Sequence, residues 1–422
     1  MDTIFALSSG APPAGIAVVR ISGPEASAAL AGLAGRLPAP RHATAATLRR
    51  SDGSELDRAL VIWLPGPGTA TGEDVAELHL HGGRAVVAAV ENALAAIPGL
   101  RHAEPGEFTR RAFANGRIDL SEAEGLADLL AAETEQQRRA ALAVAGGALS
   151  RQVDRWRERV LALSAAVEAV LDFGDEDDVG ELPGDFVHGV SALADEIAAW
   201  LARPPAERLR DGVRVVLAGP PNAGKSSLFN ALLETDAAIV TDIPGTTRDT
   251  LERPVAVDGT PLVLVDTAGV RAKTSDPIEA MGIARAEAEF AQADIVLWLG
   301  PEGEGPAGAF EIDAKIDTQA GRKSAPFAAV SASTGEGIAR LWAYIVREAR
   351  AVLPVPGEVA LNRRQREVLE VAIDELRDGF LSDPLIVAER LRIVRHQFDR
   401  ITGRASTEDM LDALFGRFCI GK

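Results

Sequence analysis

Val213-Arg214-Val215-Val216-Leu217-Ala218-Gly219-Pro220-Pro221-Asn222-Ala223-Gly224-Lys225-Ser226-Ser227 decides the fold of the central part of the chain. Residues 213–218 are an apolar, β-like run, and residues 219–226 match G-x-x-x-x-G-K-[ST]. An apolar helical pattern opens at Ser227. Strand, glycine loop and helix in that order let backbone N–H groups close around phosphates. Lys225 then reaches the β and γ oxygens, and the Ser226 hydroxyl holds Mg²⁺.

Outward from this loop, residues 261–265, 295–299 and 327–330 are further short apolar runs separated by helical spacing. They read as buried parallel strands of an α/β nucleotide-binding unit. Asp266-Thr267-Ala268-Gly269 ends one of them, so Asp266 can reach the Mg²⁺ shell and Gly269 can offer its N–H to the γ-phosphate. In Gly245-Thr246-Thr247-Arg248-Asp249 a threonine can ligate Mg²⁺ only while the γ-phosphate is present, which makes this loop a switch. Ser331-Ala332-Ser333 follows a late strand and suits a base-binding loop. The order of these motifs reads as a GTPase and separates the chain from other P-loop ATPases. Guanine is usually read by Asn-Lys-x-Asp, and here the segment is Ala314-Lys315-Ile316-Asp317. Asp317 remains to pair with the N1 and N2 hydrogens of guanine. The amide is missing, and no asparagine occurs between Asn230 and Asn362 to replace it. GTP is the expected nucleotide, with weakened affinity. Val270 stands where several GTPases carry glutamine, so another group must hold the attacking water. Asn222 is either a turn-former beside glycine or a ligand for a monovalent cation at the phosphates. Glu279 is either an exposed helix glutamate or the residue that orients the water.

The whole chain has 422 residues, which at roughly 150 per domain predicts about three domains. Apolar residues are 47% and charged residues 25%, a globular balance. Its net charge of −18 excludes a broad non-specific nucleic-acid coat. The best local basic patch is Arg390, Arg392, Arg395, Arg400 and Arg404 against Asp399, which is either a solvated helix face or an RNA contact. Residues 1–117 carry short β-like runs (16–21, 59–64, 75–80) and read as a small α+β domain. Residues 118–210 are helical: Ser121 with Glu124 fits a capping box, and Leu126, Leu129 and Leu130 share a face. Leu149, Val153, Trp156, Val160 and Leu163 form another stripe. The acidic run Asp172, Asp175, Glu176, Asp177 and Asp178 lacks calcium-loop spacing and reads as a solvated turn. Residues 211–352 are the α/β unit and residues 353–422 are helical again, so the α/β unit can be an insertion in one helical domain. A single cysteine, Cys419, makes an intramolecular disulfide impossible. There is no basic-then-apolar leader, no apolar run long enough for a membrane span, and no prenylation box at Cys419. The expected compartment is the cytoplasm, with no membrane partner.

Further motifs lie outside the α/β unit. They are Asp2-Thr3-Ile4 with Gly15-Ile16-Ala17-Val18-Val19-Arg20-Ile21-Ser22-Gly23, and Thr71-Gly72-Glu73-Asp74-Val75-Ala76-Glu77 leading to His81-Gly82-Gly83. To these add Pro105-Gly106-Glu107-Phe108-Thr109-Arg110-Arg111-Ala112-Phe113 and the tail Phe418-Cys419-Ile420-Gly421-Lys422. Nearly end to end, the chain resembles the bacterial tRNA-modification GTPase family MnmE, also called TrmE. The resemblance implies an N-terminal α+β domain (1–117) that binds a tetrahydrofolate one-carbon donor and forms a homodimer. It also implies a helical domain in two parts (118–210 and 353–422) and an inserted Ras-like P-loop GTPase domain (211–352). The folate, 5-formyl- or 5,10-methylene-tetrahydrofolate, would meet Arg20, Glu77, Arg117 and Lys422. The nucleotide would meet Asn222 to Ser227, Thr241, Asp242, Ile243, Pro244, Gly245, Thr246, Thr247, Asp266, Thr267, Ala268, Gly269, Lys315, Asp317, Ser331 and Ala332. Mg²⁺ would sit at Ser226 and Thr247, and K⁺ at Asn222, Thr241, Ile243 and Thr246. Glu279 would be catalytic, and Cys419 is either a tail thiol used in the modification chemistry or a small anchoring residue. The family works with MnmG (GidA), a partner that uses FAD and NADH, in a heterotetramer-type complex. Together they add an aminomethyl or carboxymethylaminomethyl group to C5 of the wobble uridine of certain tRNAs.

Chemistry agrees in kind: arginine can clamp folate carboxylates, and Glu77 can accept from a pterin edge. Glu77, His79 and His81 alternate onto one strand face, so a metal site is the competing reading, without a clear third ligand. Competing functions are a regulatory GTPase switch in RNA or ribosome assembly without group transfer, and a one-carbon transferase with a vestigial GTPase domain.

Overall fold

A computed structural model of the chain describes residues 2–173, 182–235, 238–240, 252–266, 290–318, 323–377, 383–405, 407–416 and 418–422. It has two compact units: Met1–Ala127 with Asp399–Lys422, and Asp128–Phe398.

The first unit runs β1 (Thr3–Leu7), β2 (Ile16–Ser22), α1 (Ala26–Ala34), β3 (Thr44–Arg49), β4 (Glu55–Leu64), β5 (Val75–His81), α2 (Arg84–Ala95), β6 (Leu100–His102) and α3 (Glu107–Ala114). Its strands form a six-stranded sheet in the order β3-β4-β5-β2-β1-β6. Alternation along β2 sends Ala17, Val19 and Ile21 into a core with Leu30 and Leu33 of α1 and Val87, Val90 and Leu94 of α2. The other side chains of β2 point to the opposite face, where Ile4 and Ala6 meet Ala103 and Phe108. Arg20 and Glu77 are paired in register on that second face. A helix, α4 (Leu120–Ala131), follows. Its reciprocal cap is Asp119 with Glu122: the Asp119 N–H donates to Glu122 at 2.9 Å and the Glu122 N–H to Asp119 at 2.8 Å. The capping box expected at Ser121 and Glu124 is therefore shifted by two residues, because aspartate caps as well as serine. Of the leucine face expected on this helix, Leu130 is half exposed; the buried face is Leu120, Ser121, Ala123 and Gly125.

The second unit continues with α5 (Glu135–Ala145), α6 (Ala148–Phe173), α7 (Phe186–Leu201) and α8 (Ala206–Asp211). Then come β7 (Val213–Ala218), α9 (Lys225–Leu233), β8 (Ala238–Val240), β9 (Glu252–Val257), β10 (Thr260–Asp266), β11 (Ile295–Trp298), β12 (Phe310–Ala314) and β13 (Ala328–Val330). It closes with α10 (Ile338–Val352), α11 (Arg363–Arg377) and most of α12 (Pro384–Thr402). The strands form a seven-stranded sheet, order β13-β12-β11-β7-β10-β9-β8, in which β10, β7, β11, β12 and β13 are parallel. Val215, Leu217, Leu264, Leu297 and Ile312 share one core with α9 and α10.

The helices before this sheet pack on those after it. Leu149, Val153, Trp156 and Val160 of α6 are fully buried as one stripe. The Trp156 ring meets Trp200 of α7 edge-on at 5.4 Å and lies 5.9 Å from Phe398 of α12. Arg366 of α11 donates to the carbonyls of Leu201 and Arg203 at 2.6 and 3.1 Å, satisfying oxygens at the end of α7. The α/β unit is thus an insertion in a helical frame. Residues 299–309 join β11 to β12 without a helix. In its place the Trp298 indole packs so tightly that a Cβ on Gly300 or Gly305 would lie 2.4 or 2.7 Å from the ring.

The chain ends in the first unit with α13 (Glu408–Phe415) and the tail. Ser121 Oγ donates to the Ile401 carbonyl at 3.0 Å. Leu120, Ala123, Leu411, Phe415 and Phe418 bury one another. Among the described residues no helix is long and apolar enough to cross a membrane.

Candidate functional site

The turn after β7 is built around its own lysine. Gly219 and Gly224 take φ of 148° and 102°, and Asn222 takes φ 63°, positive values that let the chain reverse tightly here. The Lys225 side chain is buried, and its Nζ donates to the Gly219 and Pro220 carbonyls at 2.8 Å each. Ser226 Oγ donates to Asp266 Oδ2 at 2.7 Å. This contact joins the first turn of α9 to the end of β10, the neighbour of β7 in the sheet. Two hard oxygen donors therefore converge where a phosphate-bound divalent cation belongs, and the pair fits Mg²⁺ in kind. Ala223 is half-buried beside them, and Ser227 is exposed.

The base end forms at the tips of β12 and β13. Lys315, at φ 63°, lays its stem along Gly224 and donates from Nζ to the Asn222 carbonyl at 2.6 Å. Asp317 Oδ2 accepts from Ser333 Oγ at 2.8 Å. Hydrogen bonds from Ser331 and Ser333, then its own backbone N–H and nearby Lys315, outweigh desolvation and hold the Asp317 carboxyl below the usual value. Ser331 is fully buried, and Ala332 links it to Ser333. The loops carrying Asn222, Ala223, Gly224, Lys225, Ser226, Asp266, Lys315, Asp317, Ser331 and Ala332 are thus adjoining turns at one end of the sheet. Ser333 belongs to the Ser331-Ala332-Ser333 loop read from the sequence as base-binding, but its contact with Asp317 was not read there.

The expected sites at Thr241, Asp242, Ile243, Pro244, Gly245, Thr246, Thr247, Thr267, Ala268, Gly269 and Glu279 lie outside the described residues. So do Val270 and the acidic residues Asp175 to Asp178.

In the first unit, Arg20 grips Glu77 Oε1 through Nε and Nη2 at 3.1 and 3.0 Å. His79 Nε2 lies 3.3 Å from the other Glu77 oxygen, whereas His81 turns to Asp57 at 2.7 Å. The three residues of the strand face therefore diverge, and among the described residues no group of three metal-ligating side chains gathers. The Arg20 guanidinium stands 5.8 Å from the Phe108 ring centre, and the Phe108 N–H donates to the Lys422 carbonyl at 3.2 Å. The tail is docked here, since the Gly106 N–H donates to Cys419 O at 3.4 Å and Ile420 bridges Pro105. Gly421 has φ 94°, and a Cβ on it would lie 2.0 Å from the Leu7 carbonyl. Cys419 itself is exposed. Arg117 is placed by the loop before β5: its Nε donates to the Thr69 carbonyl at 3.1 Å, and Thr71 meets Ser22 at 2.7 Å. Arg20 and Glu77 thus pair on the second face of the sheet, the Lys422 backbone is docked at Phe108, and Arg117 is held at the loop before β5. In an ion network, Arg111 bridges Glu107 at 2.9 Å, Glu73 at 3.2 Å and Asp2 at 2.8 Å. Burial works against the Glu107 carboxylate, but hydrogen bonds from Arg101, the Glu104 N–H and Arg111 prevail and hold it below the usual carboxylate range. In the basic stretch of α12, Arg392 pairs with Glu389 at 2.6 Å, one turn away.

A glycine loop wrapped on its lysine, a serine joined to the aspartate of the adjacent parallel strand, and a Lys-x-Asp turn beside them define a P-loop protein of the G-domain type. The profile described as MnmE helical domain matches residues 120–419, and that described as the N-terminus of the GTP-binding protein TrmE matches residues 3–117. A protein of Erythrobacter litoralis called tRNA modification GTPase MnmE is 64% identical over 424 residues, covering 100% of both chains. Proteins of the same name from Novosphingobium aromaticivorans and Zymomonas mobilis are 61% and 50% identical, again over 100% of both chains. The chain belongs to the MnmE (TrmE) family.

Proposed function

We propose that this chain is a K⁺-dependent GTP hydrolase which, with an FAD-containing MnmG-type partner, adds an aminomethyl or carboxymethylaminomethyl group to C5 of the wobble uridine of certain tRNAs. The observation that carries the reading is the Lys225–Ser226–Asp266 constellation, with Asp317 at the base end, in a chain of this family. Lys225 exchanges its two loop carbonyls for β and γ oxygens when nucleotide enters. Ser226, Asp266 and Thr247 would hold Mg²⁺. Bound Mg²⁺ neutralises charge on the phosphates. Asn222, Thr241, Ile243 and Thr246 would hold K⁺, which when bound would supply positive charge at the phosphates in place of an arginine finger. Glu279 orients the attacking water, because Val270 cannot. Asp242, Pro244, Gly245, Thr267, Ala268 and Gly269 frame the phosphates.

The first unit supplies the group-transfer chemistry. Arg20, Arg117 and Lys422 neutralise folate carboxylates, and Glu77 accepts from the pterin edge. Their donors and acceptors fit that group in kind. A bound tetrahydrofolate supplies the one-carbon unit. Cys419, exposed on the docked tail, stands with the modification chemistry, and pairing of first units makes the homodimer. The site of action is the cytoplasm. Net charge −18 accords with a partner that carries most of the tRNA surface.

The test is reconstitution with an MnmG-type partner, tRNA, GTP and 5,10-methylene-tetrahydrofolate, followed by mass spectrometry of the wobble nucleoside. The wild-type chain forms the modified uridine, and Ser226→Ala lowers its rate about a hundredfold. GTP hydrolysis with no change in the tRNA would instead favour a regulatory switch.

A further inference from the structure

Ala314 ends β12 at the position that usually carries asparagine, and a methyl group can tie the base-reading aspartate to nothing. Asp317 sits on an exposed turn, where a carboxylate without a partner turns freely about its last torsion. Reading guanine demands the opposite. N1–H and the 2-amino group must each meet one carboxylate oxygen, so the plane of the carboxylate has to be fixed before the base arrives.

The neighbouring loop provides a fixture. Ser333 Oγ donates to Asp317 Oδ2 at 2.8 Å and lies 3.0 Å from Ser331 Oγ. Ser331 also contributes a hydrogen bond to Asp317, so the two adjoining hydroxyls hold the carboxylate from the same side, with Ser333 in direct contact with Oδ2. Ser331 is fully buried; its Oγ accepts the Thr334 N–H at 3.2 Å, and its own N–H donates to the Glu336 carbonyl at 2.9 Å. An exposed carboxylate is thereby linked through Ser333 to a buried, backbone-anchored hydroxyl. Lys315 ties the same turn to the phosphate loop at the Asn222 carbonyl.

We propose that Ser333 is the positioning residue for base specificity in this chain, holding Asp317 in the orientation that selects a 2-amino-6-oxopurine where Ala314 has removed the usual amide. The proposal rests on the reading of this site as a guanine-nucleotide site. Asp317 is exposed, so its carboxylate stays open to the base while Ser333 holds Oδ2. A 6-oxopurine that lacks the 2-amino group engages only one oxygen and depends less on the carboxylate plane.

The experiment is equilibrium binding of GDP, IDP and ADP to the full chain, with melting of the nucleotide-free protein as a fold control. The variants are Ser333→Ala, Ser333→Thr, Ala314→Asn and the Ala314→Asn, Ser333→Ala double substitution. Wild type is expected to prefer GDP to IDP. Ser333→Ala loses about tenfold in GDP affinity and clearly less in IDP affinity, so the ratio contracts. Ser333→Thr keeps the ratio, and Ala314→Asn restores it in the Ser333→Ala background, a coupling that independent sites would not show. Equal losses for GDP and IDP, or none, would overturn the proposal, as would a wild type that does not distinguish the two. Wild type binding ADP as tightly as GDP would overturn the guanine reading itself.

Discussion

At Arg111 the meaning of a single residue depends on its company. Read in sequence it is one letter of a family block; in the structure it closes a network of Asp2, Glu73 and Glu107. Glu107 and Asp2 have depressed pKa values in the folded chain. A depressed carboxyl contributes stability that is present above its unfolded value and lost as pH falls through the folded one. Urea midpoints of the first unit are therefore expected to fall from about pH 5.5 to about pH 3.5, with Glu107→Gln less stable at the higher pH and flatter across the range. Parallel slopes would remove Glu107 from that role. The phosphate-site residues were legible because their spacing is itself the chemistry: Gly219, Gly224, Lys225 and Ser226 have one workable arrangement. Ser333 was not, because its role appears only once Asp317 lies 2.8 Å away across another loop.

Elements show the same division. The stripe from Leu149 to Val160 was readable from its helical period, and the strands at β7, β10 and β11 from their apolar runs. β9 was not read, because Pro254 and charged Glu252 and Arg253 interrupt its apolar run, although Asp258-Gly259 before β10 was the hairpin signal that could have found it. β12 escaped because it alternates charged and apolar residues, Phe-Glu-Ile-Asp-Ala. Docking of the tail on β1 and α3 has no local signature at all, since residues far apart in sequence make it. Its geometry yields a prediction. Gly421→Ala puts a methyl group at φ 94° and 2.0 Å from the Leu7 carbonyl, so the tail must leave its seat. The amides of Gly106 and Phe108, which donate to Cys419 and Lys422, should lose hydrogen-exchange protection, at a stability cost of about 1–3 kcal/mol. Gly10→Ala, which meets nothing within 4 Å, is the control and should change neither. Protected amides in Gly421→Ala would mean that the tail tolerates the methyl.

On the scale of the whole molecule, the α/β insertion and the helices around it were readable from the alternation of periods along the chain. What the sequence could not state is how far the base site tolerates Ala314 and a β11–β12 connection without a helix, because both act through packing. An acidic chain with a built phosphate loop is an active GTPase only if the site still binds guanine nucleotide and still gathers its cations. The most direct measurement is the initial rate of GTP hydrolysis by the full chain in KCl and in NaCl at equal ionic strength. The account predicts turnover faster by roughly tenfold or more in K⁺, as expected when a cation takes the part of an arginine finger. Equal, slow rates in both salts would contradict it and leave this chain with a G domain that no longer completes its cycle.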